Sequence, residues 1–242
     1  MLTVREVSSN SKRRRRVGLG LRALKGGAVV VGVAVEDDEP RVLFSTFLAT
    51  GAEGDRLSLE PYRVAHELAR GPQGGASAEA AAVVAEGRGR QDQLAAKGLQ
   101  NIVRQLDEAP VVAALLVNRA GWITDLLEYS LAWPEHVPVA EGLAVRDALR
   151  FALKECRFEV VELDEKSLPD LAENALGLSS AEIDARLKGL GTTAGRPWRK
   201  EQKLACLSAW ITICSSKEVP SRSPIKGSLP CGTHDRDAGP PE

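Results

Sequence analysis

The chain has 242 residues, a formal net charge of −1 and an apolar fraction of 43%. This length and composition suffice to bury a hydrophobic core, and no uninterrupted apolar run approaches the roughly 20 residues that span a bilayer. The basic run at residues 12–16 is followed by glycine-broken sequence rather than by an apolar signal core. We therefore expect a cytoplasmic protein that contacts no membrane. A net charge near zero does not by itself indicate nucleic acid as a partner.

Cysteine and histidine usage argues against a structural zinc site. The chain has no C-x-x-C pair and no cysteine at a zinc-ligand spacing from a histidine. Three of the four cysteines lie in apolar or helical surroundings, where reduced thiols act as small hydrophobic groups. His66 and His136 are candidate general bases, but no nucleophile or orienting partner accompanies either of them. Structural or surface roles are therefore favoured for both histidines.

Both ends of the chain have the composition of disordered segments. Residues 1–16 are polar and basic, and residues 215–242 carry proline, glycine and serine without hydrophobic periodicity. The sequence thus predicts a single α/β domain over residues 17–214. The basic run at 12–16 is interpreted as a solvated tail, with a nucleic-acid contact as the alternative.

In chain order, the first predicted elements are two strands. Residues 28–35 are continuously apolar and β-branched, as expected of a strand that is covered on both faces. The turn EDDEP leads into a second strand over 41–49, and so short a connection implies an antiparallel hairpin. A short helix follows over 59–69, with Pro61 in its first turn.

Helices and strands alternate through the rest of the domain. A helix is predicted over 77–107, with Gly87 and Gly89 interrupting or kinking it, and a second doubly covered strand over 110–117. The remaining predicted elements are helices at 122–131 and 139–156, a strand at 158–163, two small helices of which the second starts at Ser179 and closes near Gly191, and a last helix after Pro197.

This order of elements predicts a mixed α/β sheet that starts with an antiparallel hairpin and carries helices on its faces. Ribonuclease H-like domains have this order, normally with three strands before the first helix. The third strand is therefore predicted to be missing or hidden in RLSL, at residues 56–59. A doubly wound fold is the alternative.

Several nucleotide-binding and hydrolase signatures are absent. The segment GLGLRA (18–23) lacks the third glycine of a dinucleotide loop and precedes a strand instead of following one. LKGG (24–27) has no Lys-Ser/Thr after it, which excludes a phosphate-cradling P-loop. Neither G-x-S-x-G nor H-E-x-x-H occurs. No short motif therefore identifies a reaction.

Glu201 and Glu141 are the candidate catalytic residues. Glu201 lies in the first turn of the last helix, three residues before Leu204 on its apolar stripe. A carboxylate there can help to hold a divalent cation at the strand ends, and the alternative is that it only complements the helix N-terminus. Glu141 lies one turn into the helix after the central strand, beside Gly142, which leaves room for a ligand.

A two-metal site would also need an acid on the first strand. Glu36, Asp37 and Asp38 come only in the turn after that strand, and acidic turn residues are ordinarily just turn residues. No cofactor is therefore predicted. Mg²⁺ or Mn²⁺, with Glu36, Asp37, Glu141 and Glu201 as ligands, belongs only to a nuclease alternative.

The body of the chain, over about 20 to 212, resembles a group of bacterial hypothetical proteins. The shared pattern comprises GLRA before a strand, PY, AEG opening a helix with R-[DE]-A-L, and finally PW and [DE]QKLA. The pattern is met by Gly20 to Ala23, Pro61 and Tyr62, Ala140 to Gly142, Arg146 to Leu149, Pro197 and Trp198, and Glu201 to Ala205. The resemblance nominates one constellation around the strand ends, namely Arg22, Glu141, Trp198, Glu201, Gln202 and Lys203.

The chain departs from this group at two places. Leu24 and Lys25 stand where the group has histidine and serine, and WPEHVP at 133–138 replaces a histidine-bearing stretch. Any site that depends on those side chains is not carried over.

Charge at the start of the last helix favours a binding module. Lys203 follows Arg199 and Glu201, so the predicted rim of the sheet is mixed in charge, which suits an anion or a protein partner better than a metal cluster. The leading hypothesis is a ribonuclease H-like domain without a complete nuclease site, which binds an unknown ligand or protein through Arg22, Trp198, Gln202 and Lys203. The alternatives are a metal-dependent nuclease or resolvase-like phosphodiesterase, and a scaffold that dimerises through apolar helices.

Overall fold

The computed structural model of the protein describes residues 17–36, 39–69, 77–106, 111–118 and 122–216. The predicted N-terminal tail, all but the first two residues of the predicted C-terminal tail, and both Asp37 and Asp38 lie outside these residues. Within the described ranges, no helix is long and apolar enough to cross a membrane.

A five-stranded mixed sheet forms the centre of the fold. The order across the sheet is β3-β2-β1-β4-β5, with antiparallel pairing from β1 to β3 and parallel pairing from β1 through β4 to β5. The strands are β1 (Val17–Leu24), β2 (Gly27–Glu36), β3 (Glu39–Ala49), β4 (Val111–Val117) and β5 (Glu159–Asp164). This is the ribonuclease H-like order, and the predicted mixed α/β class is confirmed.

The third strand of the opening meander lies before the predicted hairpin rather than after it. It is β1, whereas the segment RLSL forms the short helix α1 (Arg56–Leu59). Glycine weakens strand propensity, and it marks places where another backbone comes close. A Cβ at Gly20 would lie 1.7 Å from the carbonyl oxygen of Ala205, which is in the last helix. Glycine in this strand therefore allows the last helix to pack closely, and it also makes the strand hard to recognise in the sequence.

Helices cover both faces of the sheet. Core residues of β1 and β2 pack with α3 and α5 on one face, and with α6, α7 and α8 on the other. Besides α1, the helices are α2 (Pro61–Ala69), α3 (Ala78–Val103), α4 (Leu126–Ala132), α5 (Val137–Glu155), α6 (Leu168–Leu176), α7 (Ser180–Ala194) and α8 (Lys200–Ser215), with a single 3₁₀ turn at Pro134–His136.

The predicted interruption or kink of the long helix at its glycines is wrong. Gly87 and Gly89 do not interrupt α3, which is continuous. Gly87 instead allows close packing, since a Cβ there would lie 2.6 Å from the carbonyl oxygen of Leu57. In α8, Trp210 is buried. Burial also raises the pKa of the Cys206 thiol, on the same helix, to about 12.

Candidate functional site

The parallel strands β1, β4 and β5 end at the same edge of the sheet, here called the carboxyl edge. The first turn of α8 reaches this edge, where Glu201 lies within 3.9 Å of Arg22 on β1. Ligands of α/β sheets bind outside the carboxyl ends of parallel strands, because helix starts and loop side chains converge there. The carboxyl edge is therefore the candidate ligand-binding site.

Arg22 is the charged residue that β1 contributes to the carboxyl edge. Side chains alternate along a strand, so Arg22 lies on the same face as Gly18 and Gly20, which are in close contact with α8. Its Nε donates to Oε2 of Glu165 at 3.1 Å and its Nη2 to Oε1 at 2.9 Å, while Nη1 lies 3.9 Å from Oε1 of Glu201. The guanidinium thus pairs with both carboxylates.

A second guanidinium, that of Arg146 on α5, also lies at the carboxyl edge. With the Asn118 amide oriented so that its nitrogen donates to the carbonyl oxygen of Val117, its oxygen accepts from Nη2 of Arg146 at 3.1 Å. The Nε of Arg146 is buried without a hydrogen-bond partner in the described residues. Burial lowers the pKa of Arg146, and the nearby Arg150 adds to this effect, whereas Glu165 opposes it. No ion pair within the described part of the chain includes Arg146. Its charge remains available to an anion.

Two adjoining cavities open beside these residues. One, of about 780 Å³, follows the carboxyl edge, and the other, of about 450 Å³, lies between α6, α7 and α8. Both are lined by Pro169, Lys200 and Leu204, so they meet at the start of α8. The remaining lining residues of the first cavity are Asn118, Asp164, Glu165, Lys166 and Ser167.

The carboxylates at this edge do not fit a two-metal site while Arg22 is in place. A pair of hard cations needs several anionic oxygens that converge on open positions. Here β1 supplies no acid, and the guanidinium of Arg22 contacts the carboxylates of both Glu165 and Glu201. Among the described residues, no three His, Cys, Asp or Glu side chains cluster as a metal site would require.

The other predicted metal ligands do not join Glu201. Glu36 ends β2, which runs antiparallel to β1, so it lies at the opposite edge of the sheet. The structure therefore does not bring Glu36 and Glu201, two ligands named for the nuclease alternative, together. Asp37 lies outside the described residues.

Glu141 instead caps a helix. Its Oε1 accepts from the backbone N–H of Arg63, at 3.0 Å, in the first turn of α2. Burial raises the pKa of Glu141 to about 7, although hydrogen bonds from the backbone N–H groups of Arg63 and Tyr62 act in the opposite direction. It lines a separate cavity of about 200 Å³, together with Lys25 and others. Glu141 and Glu201 therefore contact different partners, and the structure does not bring them together.

The predicted binding residues divide between three positions. Trp198 and Lys203 line the cavity between α6, α7 and α8. Gln202 is buried, and its side chain accepts from the backbone N–H of Arg199 at 2.9 Å, so it caps α8. Arg22 is held in the ion pairs of the carboxyl edge.

Sequence reasoning missed Glu165, Arg146 and Asn118. Glu165 and Asn118 directly follow β5 and β4, and a polar residue just beyond the carboxyl end of a strand was the available signal. Arg146 was named only as part of the R-[DE]-A-L element. Its half-buried position is set by the packing of α5 on the sheet, which the helical pattern does not reveal.

Both candidate general bases contact backbone carbonyls. Nδ1 of His66 lies 3.1 Å from the carbonyl oxygen of Ser130, and Nδ1 of His136 lies 2.8 Å from that of Tyr129. The His136 ring also stacks on the ring of Tyr129, with centroids 4.0 Å apart. These contacts support structural roles.

No protein-family model and no curated protein matches the chain. Among solved structures, it is similar to RuvC of Thermus thermophilus (15% identity, TM-score 0.44, covering 83% of this chain and 95% of that chain). It is also similar to T. thermophilus RuvC in complex with a Holliday junction substrate (10%, TM-score 0.48, covering 84% and 95%) and to the yeast mitochondrial Holliday junction resolvase Ydc2 (12%, TM-score 0.40, covering 82% and 78%). These likenesses concern the fold alone.

Proposed function

We propose that this chain is a ribonuclease H-like binding module whose carboxyl edge binds an anionic ligand or partner instead of a pair of metal ions. The observation that carries this proposal is the position of Arg22, which pairs with Glu165 and Glu201 where a metal-dependent nuclease needs converging free carboxylates. A guanidinium between two carboxylates offsets one of their two negative charges and occupies the space that a metal cation would fill.

Unpaired cations around the two cavities support an anionic ligand. None of these side chains takes part in an ion pair within the described ranges, whereas Glu165 and Glu201 are already paired with Arg22. Carboxylates and phosphates bind such groups through charge-assisted hydrogen bonds. The cations are Lys166, Arg199, Lys200 and Lys203, which line the cavities, and Arg146, which lies beside the lining residue Asn118.

A metal-dependent nuclease of the resolvase type is the second candidate. It is favoured by the convergence of Glu165 and Glu201 from different elements on one edge of the sheet. For this activity, Arg22 would have to move away from both carboxylates. Four-way junction DNA is the substrate to assay, since the similar solved structures are of Holliday junction resolvases.

The thermal unfolding midpoint, with and without millimolar Mg²⁺ or Mn²⁺, distinguishes the two candidates. An ion that binds only the folded state raises the midpoint. The proposed binding module has no metal site, so we expect neither ion to shift its midpoint. We also expect four-way junction DNA to remain uncleaved in either metal. A midpoint that rises by several degrees and loses this rise in Glu201→Gln would contradict the binding module, and metal-dependent cleavage would establish the nuclease.

A further inference from the structure

The cavity between α6, α7 and α8 has one apolar side and one cationic side. We call it the α7–α8 groove. Its volume of about 450 Å³ is that of a small-molecule pocket, which typically measures about 300–1,000 Å³. The lining residues are Pro169, Ala172, Ser180, Ile183, Asp184, Leu187, Trp198, Arg199, Lys200, Lys203, Leu204 and Leu207.

The apolar side of the groove is preformed. Ala172, Ile183 and Leu187 are buried in the core that α6, α7 and α8 share. The Trp198 indole donates from Nε1 to the carbonyl oxygen of Leu187 at 2.9 Å, which fixes the plane of this wall. A Cβ on Gly191 would lie 2.3 Å from Cδ1 of Trp198, so the glycine gives the ring its place against α7. A preformed wall lowers the entropic cost of binding.

The cationic side consists of Arg199, Lys200 and Lys203 at the start of α8. The described chain offers no ion-pair partner to any of the three. Asp184 is the only acidic residue among those lining the groove. Because Lys203 is half-buried, an anion beside it gains a contact that water screens less than at an open surface.

We propose that the α7–α8 groove binds a small amphipathic anion, in which an apolar body lies against Trp198 and Leu187 and a single anionic head group contacts Lys200 and Lys203. The volume of the cavity lies within the range of small-molecule pockets, which favours a small molecule as the ligand. This inference rests on the proposed binding function and deepens it by naming a ligand class. Metal binding or DNA cleavage would overturn that function, whereas the experiment below addresses only the groove.

The test uses the full chain and 8-anilinonaphthalene-1-sulfonate (ANS), which joins aromatic rings to a sulfonate. ANS fluorescence is titrated with the protein, and decanoate, decanol and inorganic sulfate are then added as competitors. The apolar and anionic parts are both present only in decanoate, so we expect decanoate to displace ANS at concentrations where decanol and sulfate do not.

Three variants assign the binding to the groove. Replacing both cations, as K200M/K203M, should weaken ANS binding about ten-fold, because methionine keeps an apolar stem and loses the charge. Ser180→Phe should also weaken it, by filling the groove from α7. Lys188→Met, on the same helix but outside the groove, is the matched control and should bind ANS as the unmodified chain does. Near-UV circular dichroism verifies that each variant is folded.

Equal ANS affinity in K200M/K203M and the unmodified chain would overturn the proposal, as would displacement by decanol at the same concentration as decanoate. Loss of binding in a folded Ser180→Phe, together with retained binding in Lys188→Met, is the supporting outcome.

Discussion

Arg22 and Glu165 form a bidentate ion pair at 2.9 and 3.1 Å, although 143 positions separate them in the sequence. The pair joins β1 in the middle of the sheet to the residue that follows the edge strand β5. Glu201, at 3.9 Å from the same guanidinium, adds the last helix to this network. At the carboxyl edge, the guanidinium of Arg22 thus occupies the position between the two carboxylates.

Removing this cation should destabilise the fold. In Arg22→Met, Glu165 loses both hydrogen bonds while remaining largely covered, so we expect the free energy of unfolding to fall by about 1–3 kcal/mol. Urea unfolding measures the change. Lys25→Met, which removes a highly exposed lysine from its pair with Glu60, is the control and should have a much smaller effect. An Arg22→Met variant as stable as the unmodified chain would show that the network contributes no net stability.

Reversing the charge at the same position should create affinity for metal. Arg22→Asp would place a third carboxylate beside Glu165 and Glu201, which gives a hard cation the converging oxygens it needs. We expect millimolar Mn²⁺ to raise the thermal midpoint of Arg22→Asp by several degrees and to leave that of Arg22→Met unchanged. If Mn²⁺ does not stabilise Arg22→Asp, the presence of Arg22 is not what excludes metal from this edge.

The buried Glu141 should make stability depend on pH. Its pKa rises from 4.5 to about 7 on folding, so the folded state holds a proton in this range that the unfolded state releases. The contribution of Glu141 to the free energy of unfolding is therefore lost as pH rises through this window. The difference between the two pKa values corresponds to about 3 kcal/mol.

Glu141→Gln isolates this contribution, because glutamine still accepts the hydrogen bond from Arg63 and carries no charge. Relative to the unmodified chain, the variant should have similar stability at pH 5 and higher stability at pH 8. The carboxylates whose pKa values are lowered, such as Glu162 and Glu60, titrate below this window. Parallel pH profiles for both proteins, measured by urea unfolding, would contradict the assignment.

Two glycines of α3, two residues apart, should respond to alanine with opposite signs. A Cβ on Gly87 would lie 2.6 Å from both the carbonyl oxygen of Leu57 and the ring of Pro61. Gly87→Ala should therefore lower the free energy of unfolding by about 1–3 kcal/mol. A Cβ on Gly89 would have nothing within 4 Å, so Gly89→Ala should stabilise by about 0.5–1 kcal/mol through helix propensity. Thermal unfolding of the two variants tests the packing of α3 on α1 and α2.

Local patterns accounted for most of the elements. The continuous apolar run of β2 predicted a strand covered on both faces, and its residues from Gly27 to Ala34 are all buried. The helix start predicted at Ser179 is that of α7, where Ser179 and Glu182 form a capping box with both of its hydrogen bonds present. These features depend on neighbours within one turn or one strand, so the sequence suffices to predict them.

Strand β1 and the carboxyl edge could not be predicted in the same way. Gly18 and Gly20 weaken the strand pattern locally. Glycine is needed at both positions because α8, from the far end of the chain, packs directly against them and leaves no room for a Cβ. Likewise, Glu141 and Glu201 have similar positions near helix starts, yet one caps α2 and the other lies beside Arg22.

The sequence by itself determined most of the strands and helices from β2 onwards, because hydrophobic periodicity, turn residues and helix caps are local features. Only the tertiary structure decided which charges meet. The partners of Arg22, Arg146 and Glu141 come from elements far apart in the chain, and electrostatic interactions depend on distance and burial in space rather than on spacing along the sequence.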